Sequence, residues 1–284
     1  MQDKDEKKEK RYAVTIRSDQ QMDLIKKISE LYLRERFGQF RDLAEDLSTK
    51  CAGYTIDPAA PDHKAKFDAY IRRRDAAREA FDKAYLAAGR EWHRTTQIDQ
   101  AQDLFEVIRY AIWSVSSGDQ PSGTITGCPD QHLRDLQDLP VCYKDKRDGT
   151  WKVELGRDQL RLVQDMSENF MRERTGQFFL LADDIAFDLS GMDLASMDED
   201  TRRRIFSERS ERVGEAIQLF ETGYKLSGAA DYGCKSDETL MAYDIYGVIM
   251  HFFWEEDPDP GDHIGARKPL HEYEEVPLIE IDRG

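Results

Sequence analysis

Arginines set beside a glycine turn are the residues of this chain best suited to chemistry. The run Arg34-Glu35-Arg36-Phe37-Gly38-Gln39-Phe40 is repeated as Arg172-Glu173-Arg174-Thr175-Gly176-Gln177-Phe178. Guanidinium forks next to a tight turn, with the N-terminus of a helix following, bring cationic donors and free backbone N–H groups together, which is what an anion or phosphate site requires. On this reading Arg34, Arg36, Gln39, Arg172, Arg174 and Gln177 hold anionic groups. A plainer reading is a helix end. Positive charge in the last turn complements the helix dipole, Glu35 and Glu173 pair with the arginines, and Gly38 and Gly176 supply the left-handed terminating residue. The helix end accounts for the glycine and one arginine but leaves the glutamine unexplained.

A second candidate lies where the two copies differ. Glu106, Arg109 and Tyr110 in the first closing helix correspond to Gly247, Met250 and His251 in the second. A duplicated protein whose halves each form a wall of one pocket can use such divergence to hold an asymmetric ligand. Drift on a partly buried helix explains the same substitutions, because a lone polar residue on an apolar helix is generally satisfied locally.

Other chemistries find little support. The six histidines show no His-x-x-x-His or Glu-x-x-His spacing, and the cysteines form no Cys-x-x-Cys pair, so no metal site is expected beyond a remote combination of Cys128, His132 and Cys142. Glu45-Asp46 and Asp183-Asp184 are adjacent on a helix and do not share a face. Neither a Gly-x-Gly-x-x-Gly run, a Walker loop nor a Gly-x-Ser-x-Gly elbow occurs, so no cofactor is implied and an enzyme is the weaker reading.

These residues are positioned by a unit that occurs twice. Tyr12-Ala-Val-Thr-Ile-Arg17 and Trp151-Lys-Val-Glu-Leu-Gly156 alternate as short strands. Each leads into a helix with one apolar face: Met22, Ile25, Ile28 and Tyr32 in the first copy, Leu160, Val163, Met166 and Phe170 in the second. A second helix starts just past the glycine. A long charged helix follows, near 64–88 and 200–226, with Phe81 aligned to Phe220 and Tyr85 to Tyr224, and the most apolar helices close each copy near 98–115 and 238–254. The expected fold is therefore mainly α: two tandem copies, each a short β-strand plus about four helices, packed as a pseudo-twofold dimer. The expected organisation is a disordered tail at 1–11, a first repeat at 12–115, a linker at 116–150, a second repeat at 151–256 and an extended C-terminal arm at 257–284, which could pair with an exposed strand of either repeat.

Composition bounds the partners. With 57 acidic against 41 basic residues the chain carries a formal charge of −16, which disfavours binding to a nucleic-acid duplex. A charged N-terminus with no apolar leader, no apolar run of membrane-spanning length and four scattered cysteines point to reduced thiols and a cytoplasmic location, that of a host cell if a phage encodes the chain.

The repeated run, from strand through Arg-x-Gly-Gln-Phe to the Asp-Ile-Tyr-x-Val-Ile type of closing helix at 244–249, resembles small, mostly uncharacterised helical proteins of bacteriophages and mobile elements. One copy commonly forms the whole protein there. Closing helices of that type are expected to carry an Arg-His pair; here the first copy has Arg109-Tyr110 and the second Met250-His251. No activity follows from the resemblance. Together with the arginine turns it implies a non-enzymatic protein that sequesters a small phosphate-bearing ligand, such as a nucleotide signal of host defence, with Arg109, Tyr110 and His251 shaping the pocket. The alternative is an acidic interaction module or nucleic-acid mimic that blocks a host defence protein.

Overall fold

The computed structural model describes residues 10–54, 57, 59–89, 96–117, 140–186, 194–229, 236–257 and 279–282. Of the expected tail at 1–11, residues 1–9 lie outside the described residues, as do most of the expected linker and most of the C-terminal arm, while Arg11 already belongs to a strand. Within them the fold is mainly helical, with eight α-helices and a small four-stranded sheet. The strands are β1 (Arg11–Ile16), β2 (Val141–Lys144), β3 (Trp151–Gly156) and β4 (Ile279–Asp282). The helices are α1 (Asp19–Arg36), α2 (Arg41–Asp46), α3 (His63–Ala88), α4 (Thr96–Ser117), α5 (Arg157–Arg174), α6 (Phe179–Ile185), α7 (Glu199–Ser227) and α8 (Asp237–Glu256), and a π-helical turn at Leu47–Cys51 extends α2.

Two compact units result, and neither coincides with a sequence copy. A sheet unit combines 1–30, 96–167 and 241–284, and a helical unit combines 31–95 and 168–240. Each therefore draws segments from both copies.

In the sheet unit the strand order is β2-β3-β1-β4, antiparallel throughout. β1 and β3, the strands read from the sequence, pair with Val14 opposite Val153, Tyr12 opposite Leu155 and Ile16 opposite Trp151. These six side chains are all buried, as period-two alternation requires when one sheet face meets a core. The C-terminal arm does add a strand, β4, on β1. β2 is an addition from within the expected linker: it pairs with β3 across a turn in which Gly149 takes φ +76° and Asp145 N–H donates to Thr150 O. α1 starts with a capping box, Gln21 N–H donating to Ser18 Oγ while Gln21 Oε1 accepts from Ser18 N–H. α4 and most of α8 belong to this unit, burying Leu104, Ile108, Ile245 and Ile249.

The helical unit is built on α3 against α7. Its core holds Phe40, Phe81, Phe178 and Phe220, with Phe178 stacked on Phe220 at 5.4 Å and Phe40 edge-on to Phe220 at 5.5 Å. Gly223 makes room for this packing, since a Cβ there would stand 2.4 Å from Phe81 Cε1.

One reading about sulfur is corrected. Cys51 is disulfide-bonded, whereas Cys142 is a free thiol. Among the described residues no helix is long and apolar enough to cross a membrane.

Candidate functional site

The arginine turns, where the sequence leads one to expect the ligand, close α1 and α5. Each is a Schellman helix end. Gln39 N–H donates to Arg34 O at 2.8 Å and Gly38 N–H to Glu35 O at 3.0 Å; Gln177 and Gly176 repeat the pattern on Arg172 and Glu173 at 2.8 and 3.1 Å. The glycines are required twice over, by φ of +71° and +81° and by the rings of Tyr85 and Tyr224, which cover them so closely that an added Cβ would lie 2.8 and 2.9 Å away. Both phenols donate to the arginine carbonyls, Tyr85 to Arg36 O and Tyr224 to Arg174 O, at 3.3 Å.

Arg36 and Arg174 are turned inwards. They are 5% and 1% exposed. The Arg36 guanidinium lies 3.2 Å from the Tyr32 ring centroid and pairs with Asp184, and that of Arg174 lies 3.3 Å from the Phe170 centroid and bonds Asp46 Oδ2 at 2.9 Å. The two ion pairs are reciprocal, because Asp46 and Asp184 occupy equivalent positions of the two copies. Their charge is thus neutralised within the helical unit, and neither arginine faces solvent to receive a ligand. Glu35 and Glu173 are buried between them and hydrogen-bond each other, each keeping one Oε1 without a partner. Burial pushes both carboxyls up, Glu173 to about 7, with the neighbouring carboxylate raising Glu35 further and Arg174 and Arg36 holding Glu173 back.

The remaining expected residues are scattered. Arg34 pairs with Asp42 at 2.8 Å; Arg172 bonds Glu168 and Gln177 Oε1 at 2.7 and 2.6 Å; Gln39 is exposed. Arg109 pairs with Glu106 at 2.5 Å, Tyr110 is exposed beside Trp113, and His251 lies 3.5 Å from Glu255 and stacks on Trp254. Arg109, Tyr110 and His251 belong to the sheet unit and the other six to the helical unit, so each set is supported by its own neighbours.

A different cluster in the helical unit has the properties expected of the turns. A cavity of about 620 Å³ is lined by Ala52, Gly53 and Tyr54 after the π-helical turn, by Lys66, Ala69, Arg72, Arg73 and Ala76 on α3, and by Leu226 on α7. Lys66, Ala69, Arg73 and Ala76 recur at helical spacing and so share one face of α3. Among the described residues neither Arg72 nor Arg73 forms an ion pair, while Lys66 is held by Asp62 at 3.0 Å. Arg73 Nε and Tyr54 Oη are buried without a hydrogen-bond partner. The Tyr54 ring is fixed by stacking on Tyr70 at 5.2 Å and lies under the Arg73 guanidinium at 5.7 Å. In a chain of charge −16, two guanidiniums left without carboxylates beside a cavity of ligand size form a local anion-receptive spot.

From the sequence α3 reads only as a long charged helix near 64–88, and none of these residues stands among the expected site residues. A signal was present. Aligned through Phe81 and Phe220, the positions of Lys66, Ala69, Arg72 and Ala76 are Ile205, Glu208, Glu211 and Glu215 in the second copy, so a basic and small-residue lining is replaced by three acids and an isoleucine.

No protein-family model, curated protein or solved structure matches this chain.

Proposed function

We propose that this chain is a binding protein that captures a small phosphate-bearing molecule without transforming it, and that the capture site is the basic cavity of the helical unit. The observation that carries the reading is the pair Arg72 and Arg73, guanidiniums without carboxylate partners at the wall of a cavity that also holds the buried, unbonded Oη of Tyr54. A phosphate there gains charge-assisted hydrogen bonds that these groups otherwise lack, and it resolves the cost of leaving buried donors unpaired. Among the described residues the lining holds no carboxylate, imidazole or thiol that could serve as a general base, which favours capture over turnover.

The two copies belong, on this proposal, to a fused pseudo-twofold dimer. Its support is the register centred on Val14 and Val153 in the sheet unit and the reciprocal pairs Arg36–Asp184 and Arg174–Asp46 in the helical unit. The arginine turns then serve the scaffold, and the ligand goes to a part of the first copy that the second has changed. A nucleotide signal of host defence is one ligand of this phosphate-bearing class.

Native mass spectrometry tests the reading. The full chain is incubated with a panel of linear and cyclic nucleotides, and whatever stays bound is released under denaturing conditions. Recovery of an intact ligand is expected. A chemically altered ligand would turn the account towards catalysis, and an empty chain across the panel would overturn it.

A further inference from the structure

We infer that the basic cavity takes an aromatic ring joined to a phosphate group, the chemistry of a nucleoside phosphate, and takes one such molecule per chain. The inference rests on the capture reading above and adds the ligand class and the stoichiometry.

The lining divides into two chemically distinct parts. Lys66, Arg72 and Arg73 supply cations. Ala69, Ala76, Ala52, Gly53 and Leu226 supply a floor of small or aliphatic groups. Ala69 and Ala76 are two helical turns apart, about 10 Å along the axis, on either side of Arg73, so small side chains flank that guanidinium along the face. A compact polyanion such as pyrophosphate needs only the cations. Small apolar groups flanking the cations, Ala69 and Ala76 on α3 with Ala52, Gly53 and Leu226 beside them, leave room for a flat apolar group that is covalently attached to the anion and buries its face against them. Tyr54 Oη, buried and unbonded at the edge, offers a directional hydrogen bond to such a ring or its sugar.

The second copy shows what removing the site looks like. By alignment Glu208 and Glu215 take the positions of Ala69 and Ala76, and Glu211 takes that of Arg72. Arg212, equivalent to Arg73, is paired to Glu208 at 2.6 Å. Three acids at these positions disfavour an anion on the equivalent face of the second copy, so one site per chain is expected.

The test is isothermal titration calorimetry of the full chain with each of the four ribonucleoside diphosphates and, separately, with pyrophosphate. At least one nucleoside diphosphate is expected to bind with a stoichiometry of one and at least tenfold more tightly than pyrophosphate. Ala69→Glu, which carries the second copy's residue on a partly exposed helix face and is checked for folding by circular dichroism, is expected to remove nucleotide binding. Equal affinity for pyrophosphate and every nucleoside diphosphate would overturn the ring assignment while leaving anion capture standing. A stoichiometry of two would overturn the single-site assignment. Unchanged binding by folded Ala69→Glu would overturn the α3 floor, and no heat from any probe would overturn capture itself.

Discussion

Glu35 and Glu173, equivalent positions of the two copies, meet inside the helical unit and share a hydrogen bond between two buried carboxyl groups, flanked by Arg36, Arg174 and Asp184. Burial raises both above the usual carboxylate range, Glu173 to about 7 from 4.5. A carboxyl whose folded value lies above its unfolded one contributes stability that is complete below the unfolded value and is lost as pH rises through the folded value. Stability of the helical unit is accordingly expected to fall between about pH 5 and pH 8 as the Glu35–Glu173 pair loses its proton. Urea unfolding at several pH values reads this slope, and Glu35→Gln/Glu173→Gln should flatten it. An equal slope in the double variant would show that other groups carry the dependence.

The reciprocal ion pairs differ in exposure, and that difference has a measurable consequence. The side chain of Asp46 is 13% exposed and that of Asp184 39%, whereas both arginine partners are buried. Removing the sheltered acid strands a buried guanidinium, so Asp46→Asn is expected to cost about 3–5 kcal/mol. Water can reach the place of Asp184, and Asp184→Asn should cost at most about 2 kcal/mol. Equal costs in chemical denaturation would contradict the reading of the two environments.

The turn glycines offer a graded series. Gly38→Ala and Gly176→Ala pay for a left-handed backbone, about 1–3 kcal/mol, and in addition drive a methyl group into Tyr85 or Tyr224. Gly149, in the β2–β3 turn, has φ +76° with no atom within 4 Å of the added carbon. Gly149→Ala should therefore cost only the backbone part, and thermal unfolding should rank it well above the other two in stability.

Sulfur chemistry follows from one bonded and one sheltered thiol. Cys51 is disulfide-bonded, and burial pushes the Cys142 thiol up to about 12. Cys142 should react slowly with thiol reagents in the native protein. After denaturation without reductant, at most two of the four cysteines should titrate, and a count of four would contradict the disulfide.

Much of the scaffold was legible in the amino-acid sequence, because its signals are local. Gly38 and Gly176 mark helix ends through backbone conformation alone, and alternation at Tyr12–Ile16 and Trp151–Leu155 exposes both inner strands. β2 was illegible, since four residues at a sheet edge within a Gly- and Pro-rich stretch carry too little periodicity. The interleaving of copies was hidden as well: a repeat reveals that two segments are alike and says nothing about which copy packs on which. Arg36 and Arg174 illustrate the limit for function. Their residue type and turn context suit an anion, yet the deciding factor is the carboxylate of Asp184 or Asp46, more than a hundred positions away. Arg72 and Arg73 are noticeable by the opposite property, the lack of such a partner.

The central claim is that anions are captured at Arg72 and Arg73 and not at the repeated turns. The most direct measurement compares binding of nucleoside diphosphates by calorimetry in three forms of the full chain: unaltered, Arg72→Ala/Arg73→Ala, and Arg34→Ala/Arg172→Ala, the last pair being the solvent-reachable arginines of the turns. Loss of two charge-assisted contacts should weaken binding at least tenfold in the first variant, with affinity unchanged in the second. Weakening confined to Arg34→Ala/Arg172→Ala would return the site to the turns and contradict the account.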